Sequence, residues 1–417
     1  MAAWPMGSGR SAPARSPWAP LTSLGEVAAL LPLGDLTRLL DDWYPPTWAD
    51  SWDAVGPVCG DPEAPIQRIL LAVDPVQAVV NEAISWDADV VVVHHPLLLR
   101  GVHSVAATTP KGRIVHSLVR HNIALHVCHT NADSPPRGVS AALAAALGVT
   151  HALPLETHAA DPLDKIVVFV PHDDLERVTD ALAEAGAGAI GDYERVRFVA
   201  TGTGSFRPMP GARPVIGRVG DLEQVAESRL EMVAPRERRQ AVVSALRAAH
   251  PYEEPAYDVL EMAALPGVRG SGRIGRLAEP LALRDFASRV VATLPATGGA
   301  VRVAGDPDRR IETVAVCGGA GDFLLDQARA SGADVYVTSD LRHHPVSELR
   351  EYAATDSSAP ALMDVPHAAA EWMWLPLLAA RLRAEPATAT VEVRVSETNT
   401  DPWTFSLPMT GPERSLP

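Results

Sequence analysis

The chain has 417 residues, enough for two or three compact units. Its formal charge of -15, pI near 5.4 and aromatic content of only 5% exclude an electrostatic grip on nucleic acid and a base-stacking platform. Cys59, Cys128 and Cys317 form no CxxC pair, and no run approaches about 18 apolar residues. A disulfide framework, a thiolate zinc site and a membrane span are therefore not expected. The N-terminus has no apolar signal core, and the compartment expected is the reducing cytosol.

Residues 1–20 are rich in Pro, Ala, Ser and Gly without apolar period, and a disordered tail is expected there. A short helix is expected over 24–31, stopped by Pro32, and a second amphipathic stretch over 36–40. WYPPTWADSWDAVGPVCG reads as a loop, in which packing is the role expected of Trp52 and Asp53. From residue 66 strand and helix alternate: strand 69–73, helix 76–86, strand Val90–Val93, helix 111–121, strand 124–128, then a helix after Gly138 to Leu147. Strands separated by helices imply parallel pairing, and residues 21–154 are expected to be a first α/β lobe.

The rhythm changes after a Pro-containing segment at 153–164. Strand 165–171, helix 173–185, an extended Gly- and Arg-rich region over 193–217, strand 230–233, helix 236–249 and strand 256–262 suggest a ferredoxin-like α+β module. It reads as an insert over 155–275, because the first rhythm resumes in a second α/β lobe, 276–417. There a strand at 271–277 leads in, followed by helix 283–294, strand 313–316, helix 323–330 and strands near 335, 361–365 and 391–395. The fold class expected is α/β, with two similar, mostly parallel lobes forming one metal-binding unit around the inserted module.

The chemistry is concentrated at the ends of the expected strands. Val90–Val93 is a β-branched apolar run suited to a strand buried on both faces, and it stops at His94, His95 and Pro96. Open α/β sheets place their ligands at the carboxyl ends of strands. A histidine pair alone is usually structural, but HHP, HTNAD, SDLRHH and HAAAE each follow a strand, and they hold six of the 14 histidines. His94, His95, Asp133, His367 and Glu371 have the donor types of a metal pair, and His367 and Glu371 share a face if the residues between them are helical. Imidazole with carboxylate suits zinc, iron or manganese, and Glu371 is the expected bridging group. Two ions about 3.5–4 Å apart can activate water and hold an anionic substrate, which makes hydrolysis the natural reaction class. His129 is a candidate orienting residue or substrate contact, and His343 and His344 are candidates for acid/base or phosphate contact. His103, His116, His121 and His126 are expected to be surface or packed residues, and GGAGD at 318–322 a tight strand-to-helix turn.

WDAVG, VVVVHHPLLL, NIALHVCHTNAD, ADVYVTSDLRHH and DVPHAAAE, spread over nearly the whole chain, resemble the Nif-three-like dinuclear-metal-centre hexameric proteins, often labelled GTP cyclohydrolase 1 type 2 homologues. The resemblance implies a toroidal homohexamer and two divalent metals per chain at positions matching His94, His95, Asp133, His367 and Glu371. GDYERVRFVATGTGSFRP and HPYEEPAYDV are similar to the insert of the longer members, which resembles the nitrogen-regulatory PII and cation-tolerance folds. Two departures bear on substrate contacts and leave the five ligand positions in place. Ala54 stands where Asn is usual in WDNVG, and Pro366-His367-Ala368 where Gly-His-Tyr is usual. The expected activity is metal-dependent hydrolysis of a nucleotide or other phosphorylated small molecule, the alternative a metal-handling or regulatory assembly without turnover.

Overall fold

A computed structural model describes residues 30–355 and 359–409. The tail expected over 1–20 and nearly all of the helix expected over 24–31 lie outside the described residues. Leu31 itself is extended and pairs with Ile66. Pro32, expected to stop a helix, instead precedes one: Leu33–Trp43 begins directly after it.

Two mixed sheets carry the bulk of the chain. The five-stranded sheet has the order Glu392–Val395, Arg68–Ala72, Val90–Val93, Ala124–Val127, Gly56–Cys59. Its first four strands are parallel and the last runs antiparallel. Val90–Val93 sits at its centre, paired on both edges, with all four valines at 1% exposure or less. That is why an unbroken β-branched run is stable there: both faces are covered by helices. Val91 and Val93 pack with Val79, Val80 and Leu118 on one side. Val90 and Val92 pack with Leu36, Leu40, Trp374 and Leu378 on the other.

The six-stranded sheet has the order Arg302–Ala304, Ala361–Asp364, Val335–Ser339, Arg310–Ala320, Arg273–Ala282, Val149–Leu153. Its central three strands are parallel and its outer pairings antiparallel. The helices Val139–Ala146 and Trp374–Ala384 touch each other and pack in the cores of the two sheets.

The sheets do not divide as the sequence does. Val149–Leu153, from the expected first lobe, is an edge strand of the six-stranded sheet, and the C-terminal strand Glu392–Val395 returns to pair with Arg68–Ala72. Each sheet therefore contains a strand from the opposite end of the chain.

Residues 163–261 form a four-stranded antiparallel sheet of order Arg197–Phe206, Glu223–Pro235, Leu163–Pro171, Tyr257–Glu261, with helices Leu175–Glu184 and Arg239–Ala249 in a βαββαβ succession. The helices cover one face through Ile166, Val168, Val170, Leu230 and Met232. Glu223–Pro235 runs for 13 residues, far beyond the expected 230–233. Glu227, Arg229 and Glu231 at successive outward positions are charged, which breaks up the apolar signal of the inward half. A two-stranded ladder, Glu156–Ala159 with Pro266–Ser271, joins this module to the rest. These strands were not expected from sequence, because as exposed edges they lack apolar alternation. Among the described residues no helix is long and apolar enough to cross a membrane.

Candidate metal centre

The carboxyl ends of both sheets meet at one place. The ladder of Val90–Val93 continues one step further, since the His94 N–H donates to Ala72 and Val73 carbonyls at 3.2 Å and the His95 N–H to Val73 at 2.9 Å. Backbone pairing thus fixes both residues before Pro96 turns the chain away. Ala124–Val127 ends in Cys128, whose N–H donates to Val93 O at 2.9 Å, and then His129 and the single helical turn Thr130–Asp133. From the other sheet, Val335–Ser339 ends at Asp340, which has a left-handed φ of 57°. Ala361–Asp364 leads through Pro366 into helix His367–Trp372. The residues between His367 and Glu371 are helical, and the His367 Nε2 to Glu371 Oε1 distance across that i,i+4 pair is 2.9 Å.

Glu371 is the centre of the group. It is 3% exposed. Its Oε1 lies 3.4 Å from His94 Nε2, and its Oε2 lies 3.0 Å from His95 Nε2. Asp133 Oδ1 is 3.6 Å from His94 Nε2.

The far nitrogen of every imidazole is already engaged. His94 Nδ1–H donates to the Cys128 carbonyl at 2.9 Å, His95 Nδ1–H to Asp74 at 2.7 Å, His129 Nδ1–H to Asp53 at 2.8 Å and His367 Nδ1–H to Asp340 at 2.6 Å. A carbonyl can only accept, so the His94 proton is assigned to Nδ1 and the Nε2 lone pair faces inward. The carboxylates impose the same orientation on the other three rings. Neutral imidazoles so held would point lone pairs at carboxylate oxygens, an arrangement that is repulsive unless positive charge lies between them.

Two observations show how the residues fit a cation. Glu371 Oε2 and Asp133 Oδ1 are buried without a hydrogen-bond partner. The inward atoms of His94, His95 and His129, and those of His95, His367 and Glu371, form two sets, each with its atoms within 4.8 Å of one another, and the sets share His95. The carboxylates facing them make His94, His95 and His367 hold a proton more tightly than a free imidazole does, against the effect of burial. Burial disfavours charge on His95, but the Glu371 and Asp74 carboxylates outweigh it and push its pKa up to about 11. His367 rises to about 9 against its own burial, through Glu371 and Asp340. Burial alone would raise Glu371; His95, His94 and His367 together hold it well below the usual carboxylate range. Nitrogen and oxygen donors in this mixture suit zinc, iron or manganese.

Gly319 closes the floor. Its φ is +74°, and a Cβ there would collide with Glu371 Oε1. The strand Arg310–Ala320 runs on through this glycine, so part of GGAGD, expected as a turn, is strand held against the site. In front of the cluster a cleft of about 650 Å³ is lined by His95, His367, Asp74 and Asp340, with Arg302 and Trp403 among its other residues.

All five expected ligands converge here: His94, His95, Asp133, His367 and Glu371. His129 joins them, presenting Nε2 to the group that contains His94 and His95. His343 and His344 do not. They are exposed at the start of helix His343–Thr355, their rings 5.2 Å apart, and His343 lines a separate cleft. In SDLRHH it is Asp340 that reaches the site, because the helix begins three residues beyond it, at His343, and carries the histidines away. Asp53, for which packing was expected, has its side chain fully buried and anchors both His129 and Thr130, while Trp52 stays 57% exposed with its ring 5.9 Å from that of His129. Asp74 was missed altogether, although it follows its strand in the same manner as His94 follows Val93.

The comparisons with known proteins agree with this architecture. A family model described as Duf34/NIF3 (NGG1p interacting factor 3) matches residues 31–402. A Mycobacterium leprae protein named GTP cyclohydrolase 1 type 2 homolog is 49% identical over 372 residues, covering 89% of this chain and 94% of the relative. A Bacillus subtilis protein of the same name is 39% identical over 309 residues, covering 74% of this chain and 82% of the relative. The crystal structure of a Bacillus cereus protein related to NIF3 superposes with a TM-score of 0.74 at 33% identity, covering 91% of this chain and all of that one (100%). The chain, with its imidazole-rich cluster at the seam of two sheets, belongs to the Duf34/NIF3 family.

Proposed function

We propose that the protein is a dinuclear metal-dependent hydrolase acting on a nucleotide or related phosphorylated small molecule, with two zinc, iron or manganese ions held by His94, His95, Asp133, His367 and Glu371. The observation that carries this reading is the pair of overlapping donor sets sharing His95, with Asp133 Oδ1 3.6 Å from His94 Nε2 beside the first of them and each ring fixed from behind by an acceptor. Such ions, when bound, polarise substrate oxygens and lower the pKa of water.

The chain supplies the rest. His129, fixed through Nδ1 by Asp53, presents Nε2 beside His94 and His95, where it can hold substrate or accept a proton. Arg302, on the cleft, pairs with Asp364 at 2.5 Å and keeps an exposed guanidinium available to a phosphate. The name shared by the curated relatives supports GTP as the first substrate to test, with purine ring opening and release of formate as the reaction. Product analysis of fully metallated protein with GTP is expected to show formate and the opened nucleotide. No formate would remove the GTP version, and no turnover on a broad nucleotide and phosphoester panel would remove the hydrolase reading.

A second reading, a metal-handling or regulatory assembly without turnover, is favoured by a separate cavity in the 163–261 module, which lies outside the metal cleft. We read that module as an inserted ferredoxin-like domain of the PII type between two α/β lobes, from its βαββαβ order. The assembly we propose is a cytoplasmic homohexamer. Exposed Leu153, Leu265 and Val268, at 67%, 67% and 77%, are apolar surface near the joining ladder that a partner copy would cover. Light scattering giving a monomer mass would overturn it.

A further inference from the structure

The inserted sheet has one face covered by helices and one that is not. Alternation along its strands puts Phe169, Glu227 and Arg229 on the uncovered face, together with Ala200, Gly202 and Gly204 of the neighbouring strand. The small residues leave that face bare. Residues 208–216 fold over it, tied down where the Arg213 N–H donates to Glu253 at 3.0 Å. Between the sheet and this cover lies a cavity of about 610 Å³, walled by Phe169, Phe206, Val215 and Ile216. Its sequence, TGTGSF and HPYEEP, is the part of the chain that the metal cluster does not use.

Glu227 lines this cavity at 8% exposure, so it is more than nine-tenths buried. Among the described residues no cation pairs with it. Arg229, the nearest arginine along the strand, is committed to Glu231 at 2.9 Å and stacks 5.8 Å from the Phe169 ring. His250 is neutral by its bonding: its Nε2–H donates to the Phe169 carbonyl and its Nδ1 accepts the Tyr252 N–H. The Tyr252 hydroxyl stands beside Glu227 and is itself buried without a hydrogen bond of proper geometry. The glutamate is held in place by the backbone, since a Cβ on Gly204 would collide with Glu227 Oε2. Glu253 and Glu254 also line the cavity, but each is ion-paired, with Arg213 at 3.7 Å and Arg247 at 3.6 Å, which leaves Glu227 as the lining carboxylate without an ion pair. A buried carboxylate without a partner is costly, and a ligand that brings positive charge and N–H donors removes that cost.

We propose that this cavity is a binding site for a small organic cation, an amine or amidinium on an apolar or aromatic body, with Glu227 taking the charged head and Phe169 and Phe206 the body. The volume is in the range of small-molecule sites.

Titration calorimetry on the full chain would use benzamidine and 2-phenylethylamine as probes, with benzamide and 2-phenylethanol as neutral counterparts. Saturable binding of a cation is expected, weakened about tenfold or more for its neutral counterpart and for Glu227→Gln. Glu371→Gln is expected to bind the probes as wild type does, which separates this site from the metal cleft. Gly204→Val, which displaces the carboxylate without changing charge, is expected to weaken binding similarly, with circular dichroism confirming that each variant is folded. No saturable binding of either cation up to about 10 mM, equal binding of the neutral counterparts, or undiminished binding by folded Glu227→Gln would overturn the proposal.

Discussion

Glu371 and Glu227 are both buried glutamates, at 3% and 8% exposure, in surroundings of opposite character. Three imidazoles converge on Glu371, each oriented from behind, whereas Glu227 lines a cavity walled by Phe169 and Phe206 and has no ion-pair partner among the described residues. The first is a carboxylate in a prepared ring of donors; the second is one that no basic side chain pairs with. The comparison teaches that burial of a carboxylate does not by itself identify a site. What the neighbours already satisfy, and what they leave open, determines which ligand fits.

Substitution tests the contrast from the strongest effect downward. Glu371→Gln takes away the charge on which the rings converge, and elemental analysis is expected to show metal per chain falling to less than half of the wild-type content. Content equal to wild type would break the comparison at its first term. Asp74→Asn and Asp340→Asn leave the inward donors in place but loosen the rings of His95 and His367. Metal affinity, measured by competition with a chelator, is expected to drop 10- to 100-fold, on the order found for such supporting residues.

Asp164 supplies an intermediate case. Its carboxylate is fully buried but bound by the chain's own arginines, Arg239 at 2.6 and 3.0 Å and Arg236 at 3.1 Å. The Arg239 hydrogen bonds, against burial and with help from Arg236, hold its pKa below the usual value. A depressed carboxyl contributes stability above its unfolded pKa of about 3.9 and loses it as pH falls through the folded value. Asp164→Asn is therefore expected to cost about 2 kcal/mol at pH 7. In denaturant melts the gap from wild type should close below about pH 4; a gap independent of pH would contradict the assignment. The smallest effect has the opposite sign. Glu227→Gln removes a buried carboxylate that has no ion-pair partner among the described residues, and the Tm of ligand-free protein should rise. A loss instead would mean that the carboxylate is already satisfied.

Much of the fold was legible because buried parallel strands write themselves as apolar runs. Val90–Val93 begins and ends where the sequence places it, and the helix after Gly138 spans Val139–Ala146. The same rule explains what was missed. Val149–Leu153 has four of its five residues exposed, and helix Trp374–Ala384 carries Pro376 in its first turn, where proline is tolerated although it reads as a break. At the site, histidines and the i,i+4 pair stood out as residue types. Asp53, Asp74 and Asp340 did not, since a single acid after a strand is common and each contacts a ring 76, 21 or 27 residues away. Their contribution is orientation, which only the three-dimensional pairing displays.

The exchange of strands between the two sheets sets an order of events during synthesis. Arg68–Ala72 is made early, but its outer neighbour Glu392–Val395 emerges some 320 residues later. At roughly 5–20 residues per second, the growing chain exposes that edge for tens of seconds. His94 and His95 wait nearly as long for Glu371, some 276 residues further on. A ribosome-bound chain cannot close the ring of donors, so completion of the cluster belongs to the last stage of folding rather than to its nucleus.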